Sequence, residues 1–197
     1  SKLGTDAAFD PQNPKLIKIG RRLAIKVLNA AKFVHGFPLP ATAGDTAGMR
    51  ALVTETVDLD LLAGLGDVIA QATAAFEAYD HAKALEVTEQ FFWMFCDDYL
   101  ELVKERAYTG EGAGQTSAAA ALRLALDVLL RLLAPFIPYA TEEVWSWSHD
   151  TSVHTAAWPT VDELRAPAAN GLLPALSEAL ISIRRAKTDA KLSQKAV

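Results

Sequence analysis

The sequence predicts an all-α fold, an antiparallel bundle of four to five helices. Apolar residues recur at spacings of three and four through several long segments. No stretch has the two-residue alternation and turn spacing of a sheet, and no repeat recurs at a fixed period. The 197 residues are 51% hydrophobic and 22% charged, which is the composition of a packed globular chain and excludes disorder as its main state. Residues 1–197 read as one helical domain, with an irregular segment over 148–171 and a last helix over 172–197.

Asn13 followed by Pro14 is a helix start, an Asn cap before a Pro at the first helical position, and the pattern runs on to Gly36. At about 100° per residue, Leu16, Leu23, Ala24, Val27, Ala31 and Val34 share one stripe. Lys15, Lys18, Arg22, Lys26, Asn29 and Phe33 share another. Residues 37–48, rich in Pro, Gly, Ala and Thr, read as a surface loop. Leu62, Leu65, Ile69, Ala72 and Phe76 mark a helix over 59–78, whose first turns Gly64 and Gly66 weaken. From Asp80 to Tyr108 the positions Leu85, Thr88, Phe92, Phe95, Cys96, Tyr99, Leu102 and Val103 predict one long helix with an aromatic buried face.

Three glycines over 109–115 read as a flexible linker, after which Thr116 or Ser117 caps a helix carrying Leu122, Ala125, Leu126, Leu129 and Leu133. Pro135 and Pro138 end it, with a short helical continuation over 141–147. A brief extended stretch is expected at 153–157. The last helix opens at Leu173-Pro174 and runs through Leu176, Leu180 and Ile183.

The most apolar run, 122–140, is broken by Arg123, Asp127 and Arg131 and by two prolines, so it reads as an amphipathic helix of a bundle, not a membrane span. No apolar signal core opens the chain, and the expected compartment is the cytoplasm. The single Cys96 excludes an internal disulfide, and the four histidines lack metal-ligand spacing, so no metal site is expected. No catalytic constellation emerges either. Asp97 and Asp98, with Glu101, could suggest an acid/base pair, but adjacent helix residues point about 100° apart and the three read as a solvated face. His149 and His154 read as surface histidines. Gly110, Gly112 and Gly114 follow no strand and carry no Lys-Ser/Thr ending, and Cys96 among aromatics reads as a buried inert thiol.

The net charge of −5 is unevenly spread. Residues 11–40 hold six cations and no acid, and residues 180–197 hold five cations against Asp189, so two basic ends flank an acidic middle. The basic face of the first helix, ending in Phe33, fits either a solvated lysine-rich face or a surface that neutralises phosphates and offers a ring to an unstacked base. Phe91, Phe92, Trp93, Phe95 and Tyr99 read as core, as do Trp145 and Trp147. Trp158 stays open.

Three segments carry a family resemblance. Residues 21–34, RRLAIKVLNAAKFV, resemble the first helix of the anticodon-binding domain of valyl-tRNA synthetases; residues 91–104, FFWMFCDDYLELVK, look like its central helix; and residues 135–145, PFIPYATEEVW, look like a later helix and bend. The third is shared loosely with isoleucyl and leucyl enzymes, whereas the first two, with Ser152-Val153-His154 and Trp158-Pro159, favour valine. Lys191-Leu192-Ser193-Gln194-Lys195 only imitates a KMSKS loop, in the wrong place.

The resemblance implies a helical bundle that docks the anticodon stem and loop of valine tRNA. The catalytic domain that activates valine with ATP and Mg would lie elsewhere in a longer chain, as would a C-terminal arm, and this segment would hold no cofactor. Lys18, Arg22 and Lys26 would contact phosphates, Asn29 and Lys32 base edges, and Phe33 would stack on an anticodon base. Arg184 and Arg185 would extend the phosphate surface. The rival readings are the isoleucyl or leucyl version of the domain, and a helical protein-interaction module whose basic helix docks an acidic partner.

Overall fold

The computed structural model describes residues 15–165 and 170–191, so the Asn13-Pro14 start, Pro167 and the tail from Leu192 lie outside the described residues. Five long rods form the frame. They are α1 (Lys15–His35), α3 (Thr56–Glu77), the pair α4 (His81–Met94) and α5 (Leu100–Thr109) joined through a π-turn at Phe95–Tyr99, α6 (Gly112–Leu133) and α9 (Leu172–Asp189). Three short helices fill the connections: α2 (Thr46–Leu52), α7 (Pro138–Trp145) and α8 (Val161–Leu164). Among the described residues there is no strand.

Helix α6 is the centre of the bundle. From Ser117 to Leu133 nearly every side chain is buried, because α1, α2, α3, α4, α5 and α7 all pack on it. A helix apolar on all sides belongs in a core. The Ala118-Ala119-Ala120-Ala121 run keeps its first half slim, and Leu122, Leu124, Leu126, Leu129 and Leu132 interlock with Leu61, Leu65, Ile69, Phe92 and Phe95 in one continuous cluster. Helix α3 is by length and composition the one described helix that could cross a membrane. Its buried Asp58 and Asp60 are instead tied to neighbouring helices.

Asp58, fully buried, accepts from Tyr99 Oη (2.8 Å), Arg106 Nη1 and Nη2 (2.8 and 2.6 Å) and Ser117 Oγ (2.6 Å). One carboxylate thereby joins α3 to the π-turn, α5 and α6. Burial, then the charge and hydrogen bond of Asp58, push the Tyr99 hydroxyl well above its usual range, so it stays a donor. Ser117 Oγ also accepts from the backbone N–H of Thr54 and Glu55 at 3.0 and 3.1 Å. Ser117 is therefore no cap of its own helix. It supports the start of α3, and α6 begins at Gly112, several residues before the expected Thr116 or Ser117.

The glycine-rich stretch is likewise a tight joint rather than a flexible linker. A Cβ on Gly110 would lie 2.2 Å from the Arg106 carbonyl oxygen, and Gly112 takes φ +69°, so glycine closes the α5–α6 hairpin in two residues. The expected loop over 37–48 contains a 3₁₀ turn and the start of α2, which Asp45 caps by accepting from Gly48 N at 2.9 Å. At 153–155 the chain makes a 3₁₀ turn, not an extended stretch, because the Glu142 carboxylate holds Ser152 Oγ and Val153 N, each at 2.9 Å.

Helix α9 opens after Gly171, which offers no side-chain cap. Asp60 of α3 supplies it: its carboxylate accepts from the backbone N–H of Asn170 (2.7 Å), Leu172 (2.6 Å) and Leu173 (3.0 Å). A buried anion at two first-turn donors of a helix and at one N–H just before its cap satisfies both hydrogen bonding and dipole. It also fixes where α9 crosses the bundle, against α3 and the π-turn.

Candidate nucleic-acid interface

The two faces of α1 separate cleanly. Leu23, Val27, Ala31 and Val34 are buried against the core, while Lys18, Arg21, Arg22 and Asn29 are exposed and Lys26 is half-buried. Together with Ile25 they line an open groove of about 450 Å³, closed on its far side by Trp93 of α4 and Asp97 of the π-turn. That volume falls in the ~300–1,000 Å³ range of small-ligand sites.

Trp93 packs against the edge of the core and also lines this groove. Phe92, Phe95 and Tyr99 are fully buried, but Phe91 and Trp93 are half-buried at the edge of the helix stripe. The Trp93 indole N–H donates to Glu89 Oε1 at 3.1 Å. Its face lies beneath the Arg22 guanidinium, 4.9 Å from the ring centroid, and Lys26 Nζ stands at 5.7 Å. These are cation–π distances.

The π-turn explains the acidic wall. An i→i+5 turn holds one residue more than an α-turn, which rotates the face of α5 relative to that of α4. Asp97 meets α1, its Oδ1 2.8 Å from Lys26 Nζ, and Asp98 meets α9, its Oδ1 accepting from Arg184 Nη1 at 2.6 Å. Arg184 Nη2 also donates to the Asp97 carbonyl oxygen. Of the three carboxylates read as a solvated face, Asp97 and Glu101 are exposed and Asp98 is buried. The intervening apolar environment pushes the Cys96 thiol up to about 12, chiefly by burial, so this cysteine is an inert packing residue.

The remaining expected contacts lie around this groove. Phe33 sits one turn beyond Asn29 and is half-buried, in edge-to-face contact with Phe37 (4.9 Å) and Tyr108 (5.5 Å). Tyr108 is 62% exposed, so this aromatic group reaches the surface at the end of α1. Lys32 is exposed on the last turn of α1, and Arg185 is exposed on α9 next to the half-buried Arg184. Among the described residues no three His, Cys, Asp or Glu side chains gather as metal ligands would.

At this same C-terminal end of α1, His35 lies near a polar cluster built from α6, α7 and the segment that follows. Arg131, buried, pairs with Glu163 Oε2 (2.6 Å) and Asp127 Oδ2 (2.9 Å), and Asp127 Oδ1 lies 3.3 Å from His149 Nε2. His149 stacks flat on Trp145 at 3.8 Å, so it is a packed residue; Trp147 is 38% exposed, not core, with His35 edge-on at 5.9 Å. Trp158 is half-buried, its N–H donating to Thr73 Oγ1 at 2.9 Å and its ring edge-on to Phe76.

Burial, followed by the charges of Arg123 and His149, lowers the His35 pKa to about 4 from an ordinary 6.5. The unfolded chain therefore binds a proton between pH 6.5 and 4 that the folded chain refuses, and stability falls as pH drops through that window. Denaturant unfolding at pH 7 and pH 5 should show this fall. His35→Gln should reduce the difference, and an unchanged slope in that variant would assign the acid sensitivity to another group.

Three comparisons place the arrangement among known proteins. Residues 58–197 match the family model of the anticodon-binding domain of tRNA ligase. The chain is 58% identical over 197 residues to a valine–tRNA ligase of Leifsonia xyli subsp. xyli, 56% identical over 198 residues to that of Thermobifida fusca, and 53% identical over 192 residues to that of Cutibacterium acnes. These alignments take in 99, 99 and 96% of this chain but 22, 22 and 21% of the ligases, so the chain spans about a fifth of the length of the relatives it matches. In three dimensions it resembles part of the LeuRS–tRNA–LeuAMS ternary complex of Agrobacterium radiobacter K84, with a TM-score of 0.54 at 17% identity, over 96% of this chain and 24% of that one. A likeness at that identity concerns the fold. The family match, covering most of a chain whose first and central helices enclose a basic groove, shows that the chain belongs to the anticodon-binding domains of tRNA ligases.

Proposed function

We propose that residues 1–197 act as one unit that binds the anticodon stem and loop of valine tRNA, within a cytoplasmic ligase that attaches valine to that tRNA using ATP and Mg bound in its catalytic domain. The observation that carries this reading is the groove between α1 and α4, where five donor-bearing side chains of one helix line a face that also offers an aromatic ring. Similarity to valine–tRNA ligases along nearly the whole chain supports the choice of amino acid.

In this reading Lys18, Arg22 and Lys26, extended by Arg184 and Arg185, hold phosphates and set the register. Asn29, with both a donor and an acceptor, and Lys32 reach base edges, and Phe33 stacks on a base of the loop. Phosphate contacts position and base contacts specify.

The test is binding to three RNAs at low and moderate salt: valine tRNA, the same tRNA with its anticodon replaced, and isoleucine tRNA. The valine anticodon should be preferred. Arg22→Ala should weaken all three and lower the slope of log affinity against log salt by about 1. Phe33→Ala should cost about 1–3 kcal/mol of binding. Equal binding to all three RNAs would overturn direct anticodon reading. Preference for isoleucine tRNA would move the chain to the related enzyme, and no RNA binding would leave the protein-docking alternative. If Phe33→Ala bound normally and melted lower, Phe33 would be a packing residue of the Phe37–Tyr108 group.

A further inference from the structure

We infer that Trp93 is a stacking platform for one unpaired nucleobase, so that the groove takes a whole nucleotide: base on the indole, phosphate on the α1 cations. The inference rests on the anticodon reading and adds a residue that neither the family match nor the basic face of α1 designates.

Four observations carry it. Trp93 stands on α4, opposite α1, with part of its ring packed at the edge of the core and part lining the groove. Its one polar atom is occupied, because the indole N–H donates to Glu89, so the ring offers the groove its face and not a hydrogen bond. That face is held under Arg22 and Lys26, the geometry in which a planar cation occupies the place of a planar base. Ile25, 45% exposed despite its size, adds an apolar wall beside the ring, a surface suited to a base and not to a phosphate.

Asp97 completes the arrangement at the rim. Its carboxylate already accepts from Lys26, so an incoming phosphate takes over a cation held ready by another anion. A base entering beneath Arg22 displaces the guanidinium from the ring toward the adjoining phosphate, and stacking and charge pairing form in one step. Stacking tolerates any base, since every base has a π-face. Trp93 therefore contributes affinity, while identity is read by polar side chains such as Asn29.

The experiment uses the 197-residue chain and an RNA hairpin carrying the valine anticodon stem and loop, followed by fluorescence anisotropy. Trp93→Leu keeps apolar bulk and removes the ring; Trp93→Phe keeps a ring. Trp93→Leu should weaken binding roughly five- to a hundred-fold, with Trp93→Phe closer to the unaltered chain. The same hairpin with single abasic nucleotides locates the partner. At one loop position the abasic change should weaken the unaltered chain by a similar factor and add little to Trp93→Leu, the signature of a coupled pair.

Binding of Trp93→Leu within about two-fold of the unaltered chain would overturn the platform, as would losses that multiply independently at every abasic position. Failure of the unaltered chain to bind the hairpin would overturn the anticodon reading itself, and the platform with it. Binding by the unaltered chain with an unaffected Trp93→Leu would overturn the platform alone.

Discussion

Asp58→Ala should lower the stability of the bundle by about 3–5 kcal/mol, the range for removing one partner of a buried charged group. At about 2–4 °C per kcal/mol for a chain of this size, the melting temperature should fall by roughly 6–20 °C. The size follows from what is left behind. Tyr99 Oη, Ser117 Oγ and the Arg106 guanidinium all point at a carboxylate that no longer exists, and Tyr99 and Ser117 are fully buried. Asp58→Asn should be nearly as damaging, because its amide turns a donor toward groups that are themselves donors. Asp67→Ala, at an exposed position of the same helix, should stay within about 0.5 kcal/mol of the parent. Thermal and denaturant melts of the three variants test this. An Asp58→Ala protein as stable as the Asp67 control would show that the network is dispensable.

Asp60→Ala should act on one helix more than on the whole. Each hydrogen bond to a charged group contributes about 1.5–3 kcal/mol, and three donors at the start of α9 lose theirs together. Fraying lets water reach those donors, so the cost stops at what docking of α9 is worth, below the sum of the three bonds. Hydrogen exchange should reveal lost protection across 172–189 with α6 unchanged. Because Arg184 rides on α9 to reach Asp98, binding of the RNA hairpin should weaken in the same variant. Unchanged protection in α9 would mean that its packing against α3 and the π-turn suffices without the cap.

The long rods were legible by different signals: α1, α3 and α4–α5 repeat their apolar residues every three to four positions, α6 is a continuous apolar run too long for a strand, and α9 carries only the weaker spacing of Leu173, Leu176 and Leu180. The errors share a cause. Ser117 read as a cap because a small hydroxyl before an apolar run often is one; its actual acceptors and donors are sixty residues away in sequence, where periodicity carries no information. The three glycines read as flexible because their number was visible and the clash at the Arg106 carbonyl was not. Short elements such as α2, α8 and the 3₁₀ turn at 153–155 depend on single contacts from Asp45, Thr160 and Glu142, too local to rise above loop composition.

At the candidate site the cations of α1 were visible as a stripe, since that is a property of one helix. The far wall was not. Whether Trp93 belongs to the core or the groove, and whether Asp98 is wet or buried, depends on how α1 and α9 cross α4 and α5. A π-turn also shifts the angular count on which helix-face assignments rest.

The π-turn at Phe95–Tyr99 has a consequence for how such a chain can change over generations. One surplus residue is what a single-codon insertion adds and a single-codon deletion removes, and neither event disturbs the hydrogen-bond ladder of the rods on either side. Because the turn absorbs the surplus residue locally, closing it into an α-turn would re-aim the carboxylates that face α1 and α9 while Trp93 and the buried faces of α4 and α5 stay in place. The interface can thus be re-wired in discrete steps by events that lengthen or shorten the chain, a route closed to substitutions alone.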